Sequence, residues 1–104
     1  MTGNAKIVNV NITFRHTEAT DALRAYASEK ITHCLLKFIH HDTEAHLVLR
    51  VEKNRQIAEI TVNVDGATIN AKEEGDKLYT AIDTLIDTLA QQLRKNKEKL
   101  TNHH

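Results

Sequence analysis

The sequence predicts an α+β domain whose elements run β-α-β-β-β-α: a four-stranded sheet with both helices packed on one face. Three features of the chain carry that prediction. Stretches at 7–14, 44–53 and 57–64 alternate apolar and polar residues, the period of a half-buried strand. Two longer stretches, 21–38 and 75–100, repeat apolar residues at three- and four-residue steps, which gathers them into one stripe of a 3.6-residue helix. Asp65-Gly66 joins two residues that tolerate positive φ, a tight-turn signal that folds the chain back into a fourth strand.

In the first strand Val8, Val10, Ile12 and Phe14 share one side, and Asn9, Asn11 and Thr13 the other. Arg15 to Ala19 is a polar connection. Either Thr17 or Thr20 caps the first helix, since both precede helix formers and acids. That helix has Leu23, Ala27, Ile31, Cys34, Leu35 and Phe38 on its inner stripe, Tyr26 at the border, and Arg24, Ser28 and Lys30 outward; it ends near Ile39. In the second strand Ala45, Leu47, Leu49 and Val51 face in, with Val48 as an apolar exception outside. The polar tetrad Lys53 to Gln56 makes a basic hairpin tip before Ala58, Ile60, Val62 and Val64 alternate with Glu59, Thr61 and Asn63. The fourth strand, Thr68 to Lys72, turns Ile69 and Ala71 inward.

The last helix buries Leu78, Ile82, Leu85, Ile86, Leu89 and Leu93, with Asp76 as its cap. Run to Leu100, it is about 37 Å long, enough to cross a small sheet and overhang it. The overhang is basic: Arg94, Lys95, Lys97 and Lys99 surround Glu98, while Glu73, Glu74 and Asp76 cluster before the helix. Cations suit a helix C-terminus in any case, so such an end is either simple dipole complementarity or a polyanion contact.

A chain of 104 residues is expected to make one domain, 1–104, with no linker, repeat or C-terminal extension domain. Lysine plus arginine equals aspartate plus glutamate at 14 each, so polyanion binding has to come from segregated charge. No apolar run approaches the roughly 18 residues that span a bilayer, and the N-terminus lacks the pattern of a signal peptide. With a lone Cys34 as well, the expected compartment is the cytoplasm. Cys34 sits in the apolar stripe, and His33 beside it points about 100° away, so a core cysteine explains the pair better than a nucleophile and base. His40-His41 and His103-His104 lack the spacing of a zinc site, and Asp83 and Asp87 read as a solvated helix flank rather than an acid-base couple. Gly3, Gly66 and Gly75 are isolated, so there is no phosphate-binding loop. No catalytic residue, metal, cofactor, small-molecule substrate or membrane contact is expected. The open sheet face lacks the stacking aromatics of an RRM, and there is no Gly-x-x-Gly loop of a KH domain. A three-stranded antiparallel sheet backed by two helices, with one added strand, resembles a double-stranded RNA-binding domain.

Specific residue strings extend this reading. Leu23-Arg24, Val51-Glu52-Lys53 and Ala58-Glu59-x-Thr61 are followed by Tyr79-x-Ala81-Ile82-Asp83-x-Leu85-Ile86-Asp87-x-Leu89, then Gln92-Leu93 and Lys95-x-Lys97-x-Lys99-Leu100. Over nearly the whole chain these resemble the short ribosome hibernation promoting factors, a group also known as ribosome-associated inhibitors or sigma-54 modulation proteins. The resemblance implies a binding protein, not an enzyme. It would dock in the small ribosomal subunit, contact 16S rRNA where mRNA and tRNA lie, and silence idle ribosomes in stationary phase or stress. It implies rRNA contacts by Arg24, Lys30, Lys53, Lys95, Lys97 and Lys99, to which charge alone adds Arg94, and a separate partner protein wherever ribosomes dimerise. The chain departs from the family at Thr88 and Gln91, where a lysine and an arginine are usual. Arg50, Arg55, Lys72 and Arg94 are the cations that could replace them. Its end at His104, without the acidic tail of the inhibitor type, matches the short promoting type. The competing reading is a protein-interaction module that modulates sigma-54-dependent transcription.

Overall fold

The computed structural model describes residues 6–101, and side chains as far as Glu98. The elements are β1 (Val8–Arg15), α1 (Asp21–Leu36), β2 (Thr43–Glu52), β3 (Arg55–Val64), β4 (Ala67–Gly75) and α2 (Leu78–Thr101). The side chain of Lys99, and His103 and His104, lie outside the described residues. The strands stand side by side in chain order, β1 parallel to β2 and the other pairs antiparallel. A parallel pair needs a crossover, which α1 supplies. The register then sets the direction of everything else. Arg15, the Lys53 turn and Gly75 lie at one end of the sheet, and Thr43 and the Asp65-Gly66 turn at the other. Both helices start at the first end and run towards the second, parallel to each other, so their C-termini emerge together.

The alternation predicts the inner face well. Ala45, Leu47, Leu49, Ala58 and Ile60 are fully buried under Ala27, Ile31 and Leu35 of α1 and Ile82, Leu85 and Leu89 of α2. The inward residues of β1 are only partly covered, as befits an edge strand. No helix among the described residues is long and apolar enough to cross a membrane.

The boundaries differ where side-chain pattern and backbone bonding diverge. Thr20, not Thr17, caps α1: its Oγ1 accepts from the Leu23 N–H at 3.1 Å. That helix ends at Leu36 rather than near Ile39, because the Phe38 and Ile39 N–H groups both turn back onto the Leu35 carbonyl, at 2.9 and 3.0 Å. Ile39 still reaches the core from this turn, which is why its apolar character extended the helical pattern. Arg55 and Gln56 belong to β3, opposite Glu52 and Val51, so the hairpin tip is only Lys53-Asn54. Glu73 and Glu74 continue β4, and α2 begins at Leu78 with the Lys77 carbonyl accepting from Ala81 N at 3.0 Å. Asp76 therefore lies before the capping position, contrary to expectation.

Gly75 is where β4 meets α2. A Cβ there would come 2.7 Å from Ala81 N and 2.8 Å from Thr80 Cβ. Backbone cannot yield as a side chain can, so Gly75→Ala is expected to cost about 1–3 kcal/mol as an overpacked contact. The check is the urea midpoint, which should fall with the slope unchanged.

The open face departs from the expected carpet of Asn, Thr and charges at one place. Ile57 lies on it, between Arg50 and Glu74 in register, yet is fully buried. Arg50 Nη1 donates to Glu59 Oε1 at 2.8 Å and its Nε lies 3.3 Å from Glu52 Oε2, while Arg55 Nε donates to Glu74 Oε1 at 3.1 Å. Two arginine-carboxylate pairs thus close over one isoleucine. The hydrogen bonds from Arg55 hold the Glu74 carboxyl below its usual range. A depressed carboxylate stabilises the fold above its unfolded pKa, and that contribution is lost as pH falls through the folded value.

Candidate nucleic-acid interface

Arg24 and Lys30 lie on opposite flanks of α1. Six residues at 100° each separate them by about 120°. The Arg24 guanidinium stands 5.3 Å over the Phe14 ring, on the β1 side. Lys30 Nζ stands 5.4 Å over the Tyr26 ring, on the side that meets α2. Both cations rest on aromatic faces while staying exposed.

The basic end of α2 also divides. Tyr79 packs on Tyr26 of α1, and at 100° per residue Arg94 lies about 60° round α2 from Tyr79 and Lys97 directly in line with it, so both share the side that faces α1. Lys95 points away from α1, into a groove of about 500 Å³ with Ala67, Thr68, Ile69, Gln92 and Asn96. The structure therefore brings together Lys30, Arg94 and Lys97 along the paired helices. Arg24 lies on the far flank of α1, Lys95 beside β4, and Lys53 at the opposite end of the sheet from the α2 C-terminus. Lys53 holds φ at 55°, a left-handed conformation that a side chain adopts at a cost, so the tight turn presents its ammonium outward. Lys37 joins the helix-side set, since it acts on Cys34 and is exposed. Its signal was available in the chain: it follows Lys30 by seven residues, two turns along the same side.

Of the cations considered as replacements for Thr88 and Gln91, Arg50 and Arg55 are committed to Glu59, Glu52 and Glu74. Arg94 remains. The Thr88 hydroxyl donates to Glu73 Oε2 of β4 at 2.6 Å, so position 88 faces the sheet edge, and a neutral residue there leaves the helix-paired side unchanged.

Asp83 is not merely a solvated flank. It accepts the Tyr26 hydroxyl across the two helices, and this bond pushes the Tyr26 pKa up, keeping the phenol protonated. Tyr79 completes the cluster edge-on to Tyr26, with centroids 5.0 Å apart. Asp87 stays exposed. Cys34 is 6% exposed and burial raises its pKa, which keeps a thiol rather than a nucleophilic thiolate. Cys34→Ala is expected to lower stability by about 1 kcal/mol through lost packing, measured by urea unfolding, with binding per folded molecule unchanged. Among the described residues no group of three or more His, Cys, Asp or Glu side chains could hold a metal ion.

A flat β-α-β-β-β-α domain with cations along its paired helices, and with open grooves such as the one beside Lys95, is a surface-binding module. The comparisons give its family. The family model described as "Sigma 54 modulation protein / S30EA ribosomal protein" matches residues 10–101, and the chain belongs to that family. It is 42% identical over 96 residues to the ribosome hibernation promoting factor of Klebsiella oxytoca, covering 92% of this chain and 100% of that one. The Escherichia coli K12 protein of the same name is 40% identical over the same spans. Among solved structures, the chain is similar to a ribosomal subunit interface protein from Coxiella burnetii, with a TM-score of 0.77 and 27% identity. That match covers 86% of this chain and 97% of the other. The N-terminal domain of Protein Y from Thermus thermophilus matches with a TM-score of 0.75 and 30% identity, over 84% and 97% of the two chains.

Proposed function

We propose that this chain is a ribosome hibernation factor acting in the cytoplasm as one ribosome-binding domain. It binds 16S rRNA in the decoding channel of the small subunit and thereby keeps mRNA and tRNA off idle ribosomes. The observation that carries this reading is the match, over 92% of this chain and the whole of each relative, to proteins named for promoting ribosome hibernation. The charge distribution supports it. In a chain with 14 basic and 14 acidic side chains, the acids Glu52, Glu59 and Glu74 are consumed by arginines on the sheet, whereas Lys30, Lys37, Arg94 and Lys97 stand exposed along the helices. Phosphate contacts from such a surface recognise shape more than sequence. The domain acts by occupancy and performs no reaction.

Sedimentation tests it. Mixed with vacant ribosomes at low salt, the protein should travel with small subunits and whole ribosomes through a sucrose gradient. Recovery only at the top of the gradient would sink the reading and favour an interaction module acting on sigma-54-dependent transcription, to which the family's other description points.

A further inference from the structure

We infer that Tyr79, supported by Tyr26, Asp83 and Lys30, is a stacking platform for an unpaired nucleobase. The inference deepens the rRNA-binding reading and rests on it. The open face of the sheet offers no aromatic platform, but the helix side does. Tyr79 is 39% exposed on the same helical side as Arg94 and Lys97. Its ring meets Tyr26 at an interplanar angle of 72° with centroids 5.0 Å apart. An edge-to-face contact occupies one face of one ring and only the edge of the other, so Tyr79 keeps a face for a third partner. The support is rigid: Tyr26 is held by its hydroxyl on Asp83 Oδ1 and by Lys30 Nζ, 5.4 Å above its ring.

Each neighbour has a use for a nucleotide. A base stacks on Tyr79, and the phosphate beside it reaches the Lys30 ammonium. The second oxygen of the exposed Asp83 accepts from an exocyclic amine, which adenine, guanine and cytosine carry and uracil lacks. Base-aromatic stacking is worth about 1–3 kcal/mol by alanine substitution, or roughly five- to 150-fold in affinity.

The test starts from a feature of composition. The chain has two tyrosines and no tryptophan, and both tyrosines are in this cluster, so intrinsic fluorescence reports on the site alone. Tyr79→Ala is expected to lower affinity for purified small subunits about tenfold, whereas Tyr79→Phe and Tyr79→Trp retain it, because the ring stacks without its hydroxyl. Wild-type affinity in Tyr79→Ala, or a loss as large in Tyr79→Phe, overturns the platform while the binding of the wild-type protein leaves the hibernation reading standing. Should Tyr79→Ala fail to fold, or the wild-type protein fail to bind subunits, short oligonucleotides decide. Tyrosine fluorescence quenched more by oligoadenylate than by oligouridylate supports the platform, and no quenching by either overturns it.

Discussion

Replacing Arg94 and Lys97 together with alanine is expected to weaken binding to small ribosomal subunits by at least two orders of magnitude, the larger of the two effects expected from side-chain substitution at the surface. These side chains are exposed on the side of α2 that faces α1, in line with Lys30 and Lys37, and together these cations outnumber the acids of that stretch, Asp87 two turns before Arg94 and Glu98 one turn after it. A charged hydrogen bond contributes about 1.5–3 kcal/mol, or ten- to a hundredfold, so two lost contacts compound. Each neutralised phosphate also releases counterions, so the slope of log affinity against log salt should flatten by roughly 0.7–0.9 per contact, near 1.6 for the pair. Lys95→Ala, on the β4 side, is the control from the same helix end and should change affinity only a fewfold. Lys53→Gly is the control from the far end of the sheet; glycine accepts the φ of 55° there without strain, so the variant removes charge and keeps the turn. Equal losses in all three variants would mean that net charge, not the paired-helix side, drives binding. An unchanged salt slope in the double variant would remove that side from the interface.

The split of the basic residues explains what could be read from the chain and what could not. The strand and helix periods place Leu47, Ile60, Ile82 and Leu85 in the core because burial follows from local spacing, and all four are fully buried. The end of α1 was less legible, since Phe38 and Ile39 stay in the hydrophobic pattern after the backbone has left the helix. Ile57 was illegible for a different reason. Its burial on the open face depends on Arg50 and Glu74 standing on either side, a pairing set by register and not by its own neighbours in sequence. The site shows the same limit more strongly. A run such as Arg94, Lys95 and Lys97 looks like one patch, yet steps of 100° send Lys95 towards β4 and the other two towards α1. Tyr26 and Asp83 are 57 residues apart, and only the parallel course of the two helices brings them together. Whether Arg50 and Arg55 were free cations could likewise be decided only by finding Glu59 and Glu74 beside them.

Added to an in vitro translation reaction, the protein is expected to abolish most initiation on vacant ribosomes while leaving elongation on loaded ribosomes nearly untouched. The expectation rests on the proposed site in the decoding channel and on volume. The domain measures 47 × 32 × 17 Å, and its interior is packed and cannot be compressed to share a channel with mRNA or tRNA. Binding and loading are then mutually exclusive, and the order of addition decides the outcome. Protein added before mRNA captures the empty subunit; protein added after a first round of initiation meets an occupied site and must wait for it to clear. Reciprocal linkage sharpens this, because a ligand excluded by tRNA must itself weaken tRNA binding by the same factor. Raising initiator tRNA and mRNA should therefore relieve inhibition competitively, shifting the half-inhibitory concentration in proportion to their excess. The Arg94 and Lys97 double variant should inhibit only at concentrations raised by its loss of affinity, and Cys34→Ala should inhibit like the wild-type protein once corrected for the folded fraction. Inhibition that is equal before and after loading, or that no excess of tRNA and mRNA relieves, would place the domain elsewhere on the ribosome.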